Sequence, residues 1–175
     1  MKRFLIVVDM QKDFVDGALG TPEAVAIVPR VVEKIRAFDG DIVVTYDTHT
    51  EDYLHTAEGA KLPVAHCVKN TDGWTLNAEV AAALEGKRVT TVEKPTFGST
   101  ALPTLLSELA GDEPFATELC GLCTDICVVS NALLIKAHFP EQPIAVDASC
   151  CAGVTPPTHE AALTTMRMCQ IDIIE

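Results

Sequence analysis

The chain has 175 residues, 48% of them hydrophobic, with a mean hydropathy of +0.23; this suits a compact core and excludes a disordered chain. A formal charge of −12 repels phosphate backbones and anionic membranes, so neither nucleic acid nor a lipid surface is an expected partner. No apolar run approaches the roughly 18–20 residues needed to span a bilayer, and seven cysteines, an odd number, cannot form a complete disulfide framework.

The opening "MKRFLIVVDMQKDF" sets two basic residues before an apolar stretch, but that stretch ends at Asp9. It reads as a strand, Phe4–Val8, and not as an export signal, so a cytoplasmic location with reduced thiols is expected. The segment 22–38 carries Val28, Val31, Val32 and Ile35 at helical spacing, with Pro29 predicting a kink or a late start. Ile42–Tyr46 predicts a second strand. The segment 47–74 follows without helical periodicity, and a loop of that length in so compact a chain is usually functional. A helix over 75–85, a strand at Arg88–Val92 and a helix over 100–110 come next. Then follow a strand at Phe115–Gly121, a helix over 124–138 with Thr124 as N-cap, a strand at Ile144–Val146, a helix over 157–169 and a last strand at Ile171–Ile174.

These strands read as continuous apolar runs more than as alternation, which is what burial on both faces produces. Their alternation with helices predicts right-handed crossovers and a three-layer α/β/α sandwich with a mostly parallel six-stranded sheet, Rossmann-like in design. No repeat or Pro/Gly-rich linker divides the chain, so one domain over 1–175 is expected. In such folds ligands bind beyond the carboxyl ends of the strands. Asp9 ends the first, Asp47 the second, Lys94 follows the third, and "GLCTDIC" follows the fourth.

"ELCGLCTDICVV" puts three cysteines into a few residues. A metal nest would need a second ligand pair, which the vicinal Cys150 and Cys151 do not readily supply. A redox pair normally opens a helix, whereas here a glycine follows a strand. Cys120 lies in the strand as a small apolar filler. Cys127 falls in the first turn of the following helix, where free N–H groups and the dipole favour a thiolate and could hold an oxyanion. On position alone, a buried thiol packing under the helix is an equal reading. Elsewhere, Asp47-x-His49 places two side chains on one side of a strand, with His66 further on. Such a set suits zinc, manganese or iron; taken alone, solvated histidines are the simpler reading.

"IVVDMQKDF" (6–14), "EKPTFGS" (93–99) and "CGLCTDICV" (120–128) resemble the three signature segments of the isochorismatase-like cysteine hydrolases, in the right order and over nearly the whole chain. The resemblance implies a catalytic triad of Asp9, Lys94 and Cys127, an oxyanion hole from the N–H groups of Cys123 and Cys127, and a cis peptide at Leu122–Cys123. Within the family, the histidine segment is similar to the nicotinamidase/pyrazinamidase branch. That likeness implies a divalent metal, zinc first with manganese or iron as alternatives, held by Asp47, His49 and His66. Glu58 is preferred over His55 as the additional ligand. Where many nicotinamidases carry a ring-stacking aromatic residue this chain has Pro63, so ring contacts are expected from Phe14, Leu19 and Phe97, with Trp74 a further candidate. The implied reaction is hydrolysis of nicotinamide to nicotinate and ammonia through a Cys127 thioester. The alternatives are a hydrolase of another small amide, ureido or carbamoyl, or an isochorismatase-type hydrolase. The implied partners are a small-molecule amide and further copies of the chain, as a dimer or tetramer.

Overall fold

The computed structural model describes residues 1–175. In chain order the elements are β1 (Lys2–Val8), α1 (Lys12–Val15), α2 (Pro22–Ala37), β2 (Asp41–Asp47), a 3₁₀ turn (Tyr53–His55), α3 (Ala57–Lys61), α4 (Ala78–Leu84) and β3 (Val89–Lys94). They continue with α5 (Ala101–Ala110), β4 (Phe115–Leu122), a π-helical turn (Thr124–Val128), α6 (Val129–His138), β5 (Ile144–Ala152), α7 (Pro156–Met168) and β6 (Asp172–Ile174). The six strands form one sheet in the order β3-β2-β1-β4-β5-β6, and every pairing is parallel.

Strand period and layer packing agree. On β1, Leu5 and Val7 point into a core shared with α2 and α4, while Phe4, Ile6 and Val8 point into a second core shared with α5, α6 and α7. All five are fully buried, which explains why the strand reads as an unbroken apolar run. α2 buries Ala24, Ile27, Val28, Val31, Val32 and Ile35 along one face. Thr21 accepts from the Ala24 N–H at 3.0 Å and Pro22 occupies the first turn, so the helix starts where capping chemistry puts it.

Three expectations need correction. Pro29 neither delays nor ends α2; it lies on the exposed face, and the helix runs through it to Ala37. The predicted helix 124–138 is two pieces, a π-helical turn and α6. Thr124 is not its N-cap: it sits inside the turn, and its hydroxyl is 2.8 Å from His159 Nδ1. β5 continues past Val146 to Ala152, because a register shift between Leu119 and Gly121 lets it pair with β4 again beyond the polar Asp147 and Ser149.

The chain reverses its winding between β1 and β4, the two central strands, and the crevice at their carboxyl ends is where a doubly wound sheet offers a binding site. Gly121 makes the approach of these strands possible. Its φ of +115° and the collision any Cβ would make with the Val8 backbone both demand glycine.

Candidate active site

Asp9 leaves β1 at this switch point with φ of +46°, in the left-handed region that aspartate tolerates better than most residues. Thr45 on β2 fixes it twice: the hydroxyl donates to Asp9 Oδ1 at 2.6 Å and accepts from the Asp9 N–H at 3.2 Å. The other carboxylate oxygen meets Lys94 Nζ at 2.6 Å, while otherwise making no regular hydrogen bond. Lys94 ends β3 fully enclosed and also reaches Asp47 Oδ1 at 3.3 Å, the Thr96 carbonyl at 3.1 Å and Cys127 Sγ at 3.4 Å. Asp9 and Asp47, from two strand ends, thus converge on the ammonium that ends a third and reaches the sulfur.

The electrostatics follow from burial. Desolvation pushes the Asp9 carboxyl up, with the Lys94 ammonium opposing it, so Asp9 is a stronger base than an ordinary carboxylate. Burial disfavours the Lys94 charge, but the carboxylates of Asp9 and Asp47 around it outweigh that and hold it protonated. Burial and then Asp9 push the Cys127 thiol well up. The shift runs against the thiolate expected from the turn's position, and Asp9 stands by as a base. Burial also pushes Cys123 up, to about 12.

The peptide Leu122–Cys123 is cis, as the resemblance implied. The carbonyl of Cys123 accepts the N–H groups of Ile126 (3.1 Å) and Val128 (3.0 Å), while its own N–H donates to no protein acceptor. A free donor in the same turn as the Cys127 thiol is what an oxyanion needs.

Beside this group lies a second cluster. Ligand atoms of Asp47, His49, Glu58 and His66 all fall within 4.8 Å of one another. His49 Nε2 is 3.0 Å from Asp47 Oδ2 and 3.7 Å from Glu58 Oε1; His66 Nε2 is 3.6 Å from the first and 3.7 Å from the second. Bonds of about 2.0–2.2 Å to a common centre put neighbouring ligands roughly 3–3.6 Å apart, so the four donors fit a divalent ion. His66 Nδ1 is 2.8 Å from the Val64 carbonyl, which fixes its proton there and leaves the Nε2 lone pair facing the cluster. Burial would raise the Asp47 carboxyl, but its contacts with the imidazoles of His49 and His66 and the charge of Lys94 hold it well below the usual range, ionised as a ligand must be. His55, the competing candidate, is exposed and outside the cluster.

Both groups open on one cavity of about 250 Å³. Asp47, Glu58 and His66 stand on one wall and Cys123 and Cys127 on another. Phe14, Leu19 and Phe97 line it as expected, joined by Thr21, Leu62, Ile126 and Val154, which sequence reasoning passed over. Trp74 does not reach it, because its ring packs on Tyr46 at 5.2 Å and its Nε1–H donates to Thr48.

Several positioning groups were also missed. Gln11 Nε2 donates to the carbonyls of Asp47 (2.9 Å) and Trp74 (2.8 Å), and its Oε1 accepts the Asp47 N–H at 2.8 Å. Asp13 accepts the Cys67 N–H at 2.8 Å, where Cys67 turns back with φ of +46°. Tyr53 is buried behind the imidazoles of His49 (4.7 Å) and His66 (4.8 Å), its hydroxyl donating to the Leu62 carbonyl. Gln11 and Asp13 lie inside "DMQKDF", and Thr45 interrupts an apolar strand; a polar residue in a buried run was the available signal.

A parallel, doubly wound sheet with Asp, Lys and Cys gathered at its switch point defines the class: an α/β protein with the makings of a thiol-dependent hydrolase. The isochorismatase domain family model matches residues 3–175, and the chain belongs to that family. It is 29% identical over 143 residues to an isochorismatase family protein, PncA, of Bacillus subtilis (strain 168), which covers 76% of this chain and 78% of the relative. It superposes on the crystal structure of the nicotinamidase/pyrazinamidase PncA from Bacillus subtilis with a TM-score of 0.85 and 27% identity, over 100% of both chains. With the pyrazinamidase of Pyrococcus horikoshii in complex with zinc the TM-score is 0.83 and the identity 30%, over 100% of this chain and 99% of the other.

Proposed function

We propose that this protein is a cysteine amidohydrolase that converts nicotinamide to nicotinate and ammonia. The observation that carries this reading is the shared cavity, lined by the Cys127 thiol, with Lys94 and Asp9 buried behind it, and by three members of the four-residue metal-ligating cluster, Asp47, Glu58 and His66. The named activities of the similar structures support it.

Asp9 takes the Cys127 proton as Sγ attacks the carboxamide carbon, so no free thiolate has to exist beforehand. The carbonyl oxygen becomes an oxyanion held by the N–H groups of Cys123 and Cys127, each worth about 3–4 kcal/mol in such sites. Asp9 returns its proton to the amide nitrogen, the C–N bond breaks, and ammonia leaves a Cys127 thioester. Asp9 then removes a proton from water, which attacks the thioester; the C–S bond breaks and the thiol re-forms. Lys94 stays charged throughout and keeps Asp9 and Cys127 in register. Asp47, His49, Glu58 and His66 would hold a divalent ion, zinc foremost with manganese or iron as alternatives, which when bound supplies a Lewis-acid contact for a ring nitrogen. Phe14, Leu19 and Phe97 enclose the ring.

The test is ammonia release from nicotinamide, pyrazinamide and a set of ureides, with metal content measured before and after chelation. Turnover of nicotinamide with acyl addition at Cys127 is expected. Turnover of ureides alone would replace this substrate with the carbamoyl class.

A further inference from the structure

One fully buried polar side chain contacts both the nucleophile's backbone and the cavity wall. Asn131, in the first turn of α6, is 0% exposed. Its Nδ2 donates to the Cys127 carbonyl at 2.8 Å and to the Phe97 carbonyl at 3.2 Å, while its Oδ1 accepts the Ser99 N–H at 2.9 Å. Both amide hydrogens and one oxygen lone pair are therefore used, a nearly complete account for a buried amide. The loop it grips runs from Lys94, whose Nζ donates to the Thr96 carbonyl, through Phe97 to Ser99. That loop lies close on α6: a Cβ at Gly98 would stand 2.7 Å from Leu134 Cδ1 and 3.3 Å from Ser130 Cβ.

We propose that Asn131 is a positioning residue that sets Cys127 against the Lys94–Thr96–Phe97 loop, so that one amide governs both thiol alignment and the fit of the substrate ring. A helix and a loop meeting only through apolar contacts could slide by an ångström; three hydrogen bonds from one rigid amide prevent that, and such a displacement costs about 100-fold in rate. The inference rests on the reading of Cys127 as nucleophile and Phe97 as ring wall.

Asn131→Asp tests it with almost no change of shape. The Ser99 acceptor is kept, but an oxygen replaces the donor facing two carbonyls. kcat on nicotinamide should fall about 100-fold, with KM rising several-fold, and alkylation of Cys127 by iodoacetamide should slow by about tenfold. Asn131→Ser, which cannot span both carbonyls, should move the same three quantities by less, and it decides the matter if the Asp variant does not fold. Leu106→Ala, a core truncation in α5, is the control: it lowers the melting temperature but leaves kcat per active site, KM and alkylation unchanged. If the Asn131 variants behave like that control, the residue is merely structural and the proposal is overturned. Alkylation and melting need no amide, so a protein without nicotinamidase activity would refute the proposed function while this test still stands.

Discussion

The molecule contains two trios of lysine, carboxylate and cysteine, one fully buried and one partly so, and only the first lines the active-site cavity. At the switch point, Lys94 sits between Asp9 (2.6 Å) and Asp47 (3.3 Å), 3.4 Å from Cys127. On the α2 side of the sheet, Lys34 pairs with Glu118 and with Asp147 (2.5 Å), and Asp147 lies beside the Cys150 thiol. Side-chain inventory alone would not separate them. Protonation does. Burial, with the neighbouring Asp47 charge, pushes Asp9 up against the Lys94 ammonium, making it a base. At Asp147 burial is overcome by hydrogen bonds from Lys34 and Ser149, which hold it below the usual range and make it a poor base. Burial pushes Cys150 to about 11, and it packs into the core where no substrate reaches. A cysteine, a lysine and an aspartate become chemistry when the carboxylate is left wanting a proton and the sulfur has an open side.

The sharpest way to break this contrast is to remove each sulfur. Cys127→Ala should lower turnover by about 10⁴-fold or more, and intact-mass analysis should lose the acyl adduct. Cys150→Ala should leave turnover within about twofold, as expected of a residue outside the catalytic unit; equal losses would erase the distinction. The carboxylates come next. Asp9→Asn should cost about 10²–10⁴ in kcat, while Asp147→Asn should leave kcat in place and cost about 1 kcal/mol of stability, a drop of about 2–4 °C in melting temperature. Removing the neighbouring ligands is a smaller blow: His49→Ala or His66→Ala should deplete metal, read by elemental analysis, and reduce kcat/KM by about tenfold or more. The smallest effect is one of pH. Asp147 has a folded pKa below its unfolded value of about 3.9, so its contribution to stability is present above that value and is lost as pH falls through the lower folded one. Urea midpoints taken between pH 6 and pH 3 should therefore fall more steeply for the parent than for Asp147→Asn.

Much of this site is legible in the chain because strand ends are. Asp9 and Asp47 each terminate an apolar run, Lys94 ends the more polar edge strand β3, and a parallel sheet brings such ends to one edge. The residues that stayed hidden act across elements. Gln11 clamps the β2 end, Thr45 holds Asp9 from the adjacent strand, and Asn131 ties α6 to a loop more than thirty residues away. Such bonds depend on tertiary approach, which no local period encodes. The π-helical turn was invisible for a different reason: it keeps helical residue types and changes only the bonding pattern. α3 and the 3₁₀ turn within 47–74 are too short to show periodicity at all.

The placing of β1 between β2 and β4 has a consequence for biosynthesis. β1 is flanked on one side by a partner whose residues pair with it from 113 positions downstream, Lys2 with Phe115. At about 5–20 residues per second, translation separates the two by several seconds or more. Until then the carboxylate waits without its sulfur, and a nascent chain that stops short of Cys127 lacks the proposed nucleophile altogether.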